Sequence, residues 1–162
     1  MTETSPTQEM WYEDIEVGDR FETEPGHAIE LTEENIIAFA REYDPQPGHV
    51  DPDLAETSFF HGLAASGWHT AAVTMRLLAG VGFPIGNGIV GAGVELAWPT
   101  PARPGDRLHL TLEVTSKRLS RSKPDRGIVV VDYDTINQDG EVRQRTHTTL
   151  IVFRRPDSAS VG

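Results

Sequence analysis

Ser66-Gly67-Trp68-His69-Thr70-Ala71-Ala72-Val73-Thr74-Met75-Arg76-Leu77-Leu78-Ala79 is the strongest helical stretch of the chain, and the fold follows from what must surround it. Trp68, Ala71, Ala72, Met75, Leu78 and Ala79 fall on one broad face at three-to-four spacing, with Val73 and Leu77 beside them. Arg76 is the only charge, which predicts a helix enclosed by protein on most sides. Ser66 suits the N-cap, where its hydroxyl accepts from an orphan backbone N–H, and Gly80 and Gly82 are predicted to end the helix.

Downstream the pattern changes to period two. Gly88 to Trp98 is apolar and glycine-rich, and Pro99, Pro101 and Pro104-Gly105-Asp106 break it. Leu108 to Leu119, Gly127 to Asn137 and Val142 to Arg154 then alternate as three long strands, the last two joined by a turn containing Asp139-Gly140. Upstream, Val17-Gly18-Asp19 reads as a turn, His27 to Leu31 as a strand, and Glu33 to Tyr43 as a helix capped by Thr32. Asp51 and Pro52 fit the cap and first position of another short helix. One enclosed helix and a run of long antiparallel strands predict an α+β domain, a curved antiparallel sheet wrapped around the central helix. That domain is expected over residues 11–155, between disordered tails at 1–10 and 156–162. A sheet with one covered face leaves an open edge, which predicts a homodimer and leaves further association of dimers open.

The composition narrows the function classes. A net charge of −11 over 162 residues argues against a nucleic-acid surface. The absence of cysteine removes disulfides, thiolate nucleophiles and thiolate metal sites. No run of about 18 apolar residues is present, so no membrane span is expected. The start lacks the features of a signal peptide, and a cytoplasmic location is the expectation.

The chemistry-bearing stretch lies just before the helix. In Asp44-Pro45-Gln46-Pro47-Gly48-His49-Val50-Asp51 an acid and an imidazole stand five positions apart, and the two prolines predict a non-helical segment. Phe59-Phe60-His61-Gly62 follows on a loop and leads to Ser66-Gly67, where a helix start presents unpaired N–H groups. An acid, an imidazole and a helix N-terminus close in sequence are the parts needed to move protons beside a carbonyl.

Asp44, Pro47, His49 and Asp51 form an Asp-x-x-Pro-x-His-x-Asp pattern that resembles the signature of the MaoC-like dehydratases, the (R)-specific enoyl-CoA hydratase group of the hot-dog fold. The Phe39-Ala40 helix, Phe59-Phe60-x-Gly62, Ser66-Gly67 and Pro104-Gly105-Asp106 match in the same order, so the resemblance spans about Trp11 to Arg154. It implies reversible syn addition of water to a 2-enoyl thioester of coenzyme A, with no cofactor beyond the coenzyme A of the substrate. It places Asp44 and His49 as the acid/base pair and the Gly67 N–H opposite the thioester oxygen. It also implies a dimer with the ligand at the interface. Gln46 stands where many members carry asparagine, and Ser66 where many carry histidine.

Several residues carry two readings at this stage. Ser66 is first a cap and second a ligand contact, and Asp51 is first a cap. His69 and His61 are packed or loop histidines or substrate contacts, and the histidine spacing does not fit a metal site. Trp68 lines either core or tunnel. Arg76 is paired, extended to water, or facing a ligand carboxylate. The basic run Lys117, Arg118, Arg121, Lys123 and Arg126 is a solvated hairpin tip or a cradle for the phosphates of coenzyme A, with Arg121 and Lys123 the phosphate contacts. At the level of function, a thioesterase on the same fold and a non-catalytic acyl-binding module are the rivals.

Overall fold

The computed structural model describes residues 8–156. Among these residues four α-helices, α1 (Glu33–Tyr43), α2 (Pro47–Val50), α3 (Pro52–Glu56) and α4 (Gly67–Leu77), combine with six strands. These are β1 (Arg20–Glu22), β2 (Ile29–Glu30), β3 (Val90–Ala97), β4 (Arg107–Leu119), β5 (Arg126–Ile136) and β6 (Val142–Phe153). The sheet is antiparallel in the order β1-β4-β5-β6-β3, with β2 also on β4. The expected tails fall outside the described residues except at their inner ends, where Met10 bridges Ile85.

Alternation drives the sheet. Leu108, Leu110, Leu112 and Val114 of β4, Val129 and Val131 of β5, and Leu150 and Val152 of β6 all point to the helix side and are buried. Register shifts at Gly91/Gly93, Val114/Ser116 and Thr135/Ile136 insert extra residues, which bend the strands and curve the sheet. The α+β hot-dog architecture expected from the sequence is therefore present.

Helix α4 packs on the concave face with only part of the surface its hydrophobic spacing suggested: Val73, Leu77 and Leu78 are buried, whereas Trp68, Ala72, Met75 and Ala79 are not. His69, Thr70, Val73, Thr74 and Leu77 are the buried residues. Trp68 and Met75 are 61% and 43% exposed, and Ala72, Arg76 and Ala79 face outward with them. The threonines tolerate the core because their hydroxyls return to the helix. Thr74 Oγ1 donates to the Thr70 carbonyl at 2.8 Å and lies 2.7 Å from Thr135 Oγ1. The outward apolar face continues onto β3, an edge strand with Val94 59% exposed, and a groove of about 440 Å³ runs between Met75 and Val94.

Other local expectations are corrected as well. The segment after Asp44 contains a single helical turn, α2, because Pro47 stands at its first position, where a missing N–H costs nothing. The strand expected over 27–31 shrinks to β2, with His27 in a 3-10 turn. Helix α4 passes at Leu78–Gly82 into a π-type turn, which ends at Gly82, one of the two glycines expected to close the helix. Lys117 and Arg126 belong to strands, not to the loop between them. Lys117 donates to the Ile15 carbonyl and sits 4.6 Å from the centre of the Tyr12 ring, while Arg126 pairs with Asp125.

The turn at Pro104-Gly105-Asp106 is tied to the sheet by a buried ion pair. Asp106 accepts from Arg143 Nε at 2.8 Å, Arg143 Nη2 at 3.2 Å and Asn137 Nδ2 at 2.9 Å. Burial opposes ionisation of Asp106, but the bonds from Arg143, Asn137 and the Arg103 backbone hold its carboxyl below the usual range. A depressed folded pKa adds stability above the ordinary carboxylate pKa and loses it as pH falls through the folded value. Asp106→Ala removes the buried partner of Arg143 and leaves it only Glu141 and Thr100, and is expected to cost about 3 kcal/mol in urea unfolding at neutral pH. The deficit of Asp106→Asn is expected to shrink as the wild type is acidified through that same range.

Candidate active site

Helix α1 ends at Asp44 because Pro45 follows, and the Asp44 N–H closes the last turn on the Ala40 carbonyl at 2.8 Å. Pro47 then starts α2, which turns His49 back toward Asp44. His49 is buried, and its Nδ1 lies 2.7 Å from the Ala64 carbonyl oxygen. A carbonyl has no hydrogen to give, so Nδ1 carries the proton and donates it. In the neutral ring Nε2 therefore holds the lone pair, and it stands 3.7 Å from Asp44 Oδ2. The side chains converge without a direct hydrogen bond.

Asp44 is held from its other sides. Ser66 Oγ donates to Oδ2 at 2.6 Å and Gln46 Nε2 donates to Oδ1 at 2.5 Å. Burial works against the charged form, yet the Ser66 hydroxyl, the Gln46 amide and the nearby His49 bring the Asp44 pKa below the ordinary value. Its side chain keeps 16% exposure. Ser66, fully buried, also caps α4 by accepting from the Trp68 N–H at 3.2 Å, so one hydroxyl joins the helix start to the carboxylate.

Gly67 opens α4, and no hydrogen bond among the described residues takes up its N–H. The glycine is required for packing: an added Cβ would stand 2.8 Å from the Trp98 ring. Gly67 and His49 line one cleft of about 290 Å³ together with Phe59, Phe60, Trp98 and Thr100. An imidazole and an unclaimed amide hydrogen thus border a space large enough for a small acyl group, and the Asp44 carboxylate stands 3.7 Å from that imidazole's Nε2.

The remaining sequence candidates lie elsewhere. Trp68 is exposed and meets Trp98 edge-to-face at 5.7 Å. His69 stacks flat on Phe39 at 4.6 Å, its Nδ1 has no hydrogen-bond partner among the described residues, and burial pulls its pKa down. Arg76 is exposed beside Met75. Arg121 and Lys123 sit in the turn joining β4 to β5, whereas the cleft lies where β6 begins. Within one chain Arg143 at the cleft and Phe153, which pairs with Arg126 beside that turn, are ten residues apart on β6, roughly 33 Å of extended strand, so the structure does not bring Arg121 and Lys123 to the cleft.

Sequence reasoning passed over Trp98 and Arg143 as wall residues. Trp98 forms the cleft wall and donates from Nε1 to Gln144 Oε1 at 2.9 Å. A tryptophan between a strand and a proline-rich break was the available signal. Arg143 borders the cleft but is held by Asp106, Glu141 and Thr100, and only the fold reveals that pairing.

This arrangement has relatives. The chain is 34% identical over 132 residues to YdeM, an uncharacterised protein of Bacillus subtilis, covering 80% of this chain and 89% of that one. The crystal structure of the MaoC-like dehydratase from Rhodospirillum rubrum is similar with a TM-score of 0.87 and 52% identity, over 91% of this chain and 99% of that one. The R-hydratase PhaJ1 from Pseudomonas aeruginosa is similar with a TM-score of 0.70 and 25% identity, over 91% of this chain and 88% of that one. The family model described as a MaoC like domain matches residues 15–136, which is most of the chain and includes every residue of the Asp44–His49–Gly67 arrangement, so this chain belongs to the MaoC-like dehydratase family.

Proposed function

We propose that the protein is a hydro-lyase that adds water reversibly to the double bond of a 2-enoyl thioester of coenzyme A. The observation that carries this reading is the 3.7 Å approach of His49 Nε2 to Asp44 Oδ2 beside the Gly67 N–H. Hydration needs a base for one proton of water, an acid to protonate Cα, and a donor for the charge that gathers on the thioester oxygen. Held as the Nδ1–H tautomer, His49 offers Nε2 as the base. Asp44, kept ionised, orients the same water and stabilises the imidazolium that forms.

As the water oxygen bonds to Cβ, the C=C electron pair moves through Cα onto the thioester oxygen. The Gly67 N–H stabilises that oxyanion, a contribution of about 3–4 kcal/mol for such a donor. His49 then returns the proton to Cα and the carbonyl re-forms. The substrate gains one hydrogen and one hydroxyl, and both reach the same face because both come from the one water. The reaction needs no further cofactor.

The same reading makes the active form a homodimer. The open β3 edge and the outward face of α4, with Trp68, Met75 and Val94 exposed, are the surface a second copy would cover.

Replacement of either proton-handling side chain, Asp44→Asn or His49→Ala, is expected to lower hydration of a 2-enoyl-CoA at least about 100-fold while the circular dichroism spectrum stays unchanged. Enoyl absorbance should fall without release of free thiol; thiol release at the same rate identifies a thioesterase instead. Ser66→Ala removes a donor to Asp44 Oδ2, so carbon-13 titration of the Asp44 carboxyl should show its midpoint moving up toward the ordinary value. Val94→Lys places a charge on the open edge and should halve the mass seen in sedimentation; an undisturbed dimer would place the interface elsewhere.

A further inference from the structure

The turn at Pro104-Gly105-Asp106 begins with Arg103, a residue the chemistry above does not use. Asp106 N–H donates to the Arg103 carbonyl at 3.1 Å, and Arg103 N–H donates to Asp106 Oδ2 at 2.8 Å. Pro104 and Gly105 (φ +88°) occupy the central positions, where proline first and a left-handed glycine second favour a type II turn. Two backbone bonds with Leu31 fix this turn against the strand that leads into α1: Gly105 N–H to Leu31 O at 2.7 Å, and Leu31 N–H to Asp106 O at 2.8 Å.

From that frame the Arg103 guanidinium reaches three carbonyl oxygens of a distant loop. Nη2 donates to Phe60 O at 2.6 Å, and Nη1 donates to Gly62 O at 2.9 Å and Leu63 O at 3.2 Å. Unlike Arg143, Arg103 makes no ion pair through its side chain among the described residues. Its fork is directed at backbone alone. The loop needs such support, because His61 (φ +50°) and Gly62 (φ +134°) both adopt left-handed backbone, which a residue with a side chain seldom enters.

The far end of the loop is the floor of His49. Ala64 O accepts from His49 Nδ1, and Ala64 N–H donates to Gly48 O at 3.1 Å. The Phe60 ring lies 5.0 Å from the imidazole and fills the space where a side chain at Gly48 would go. We infer that Arg103 is a positioning residue for His49. By clamping three carbonyls of Phe60 to Leu63, it holds the Ala64 carbonyl on Nδ1–H, and so keeps the Nε2 lone pair directed at Asp44 and the cleft. Its effect on rate rests on the hydro-lyase reading; its effect on the imidazole does not.

Two variants and two readouts test this. Arg103→Met removes the fork, and Arg103→Lys keeps the charge but replaces the planar fork with a single ammonium. The loop retains Gly62 N–H to Ala55 O at 3.0 Å and Ala65 N–H to Ala102 O at 2.9 Å in both variants. Nitrogen-15 spectra of histidine-labelled protein should show His49 as one Nδ1–H tautomer in the wild type and as a tautomer mixture in Arg103→Met. Turnover should fall about tenfold or more in Arg103→Met with KM changed less than about twofold, and Arg103→Lys should fall between that variant and the wild type. His49 nitrogen shifts identical to wild type in either variant overturn the inference, whatever happens to the melting temperature. If Arg103→Met does not fold, Arg103→Lys decides by the same spectrum. A wild type that hydrates no enoyl thioester defeats the hydro-lyase reading alone, since the tautomer measurement stands without substrate.

Discussion

The bond from Ser66 Oγ to Asp44 Oδ2 is the interaction on which the site depends. It joins the end of α1 to the start of α4, two helices that also meet where His69 stacks on Phe39. One buried hydroxyl satisfies an orphan N–H of the helix and a carboxylate oxygen together, so capping α4 and placing Asp44 are a single event. With that bond in place, the first amide of α4, the carboxylate and the imidazole share one corner of the molecule. Without it Asp44 would still terminate a helix and accept from Gln46, but nothing would tie its carboxylate to the start of α4.

Much of this was legible in the chain, for local reasons. Thr32 and Asp51 cap their helices, and α1 spans the residues its apolar stripe indicated, because capping and proline punctuation act over a few residues. The long strands follow from alternation sustained over many positions. What failed depended on knowing the surroundings. The spacing of Trp68, Ala71, Ala72, Met75, Leu78 and Ala79 marked an apolar face, yet only Leu78 of these is buried within one chain. Meanwhile Thr70 and Thr74, which look polar in sequence, face the core because their hydroxyls bond within the helix and across to Thr135. The two prolines after Asp44 predict a non-helical segment, yet Pro47 stands at the first position of a turn, the place where proline fits.

Around the site, the same separation of local from distant information holds. Asp44, His49 and Gly67 were nameable because they lie close in sequence and match a family pattern. The partners that orient them were not: Ala64 holds His49 through a backbone oxygen, which no side-chain pattern encodes. Arg121 and Lys123 were grouped with the ligand by charge alone, and the length of β4 and β5 carries them to the other end of the sheet. The basic run also dissolved on folding, with Lys117 fastening the Tyr12 segment and Arg126 bound to its neighbour Asp125.

The contact between Gly67 and Trp98 has an architectural consequence. The backbone at 67 is bare because an indole already fills the volume beside it, so the two positions behave as one shared allotment of space. Bulk can be traded between them but not added to either alone. A smaller ring at 98 would hollow the cleft wall next to the amide hydrogen while leaving that hydrogen where it is. Pocket shape and charge stabilisation are therefore separable in this scaffold, and the room available to a guest molecule can be altered without moving the group that polarises it.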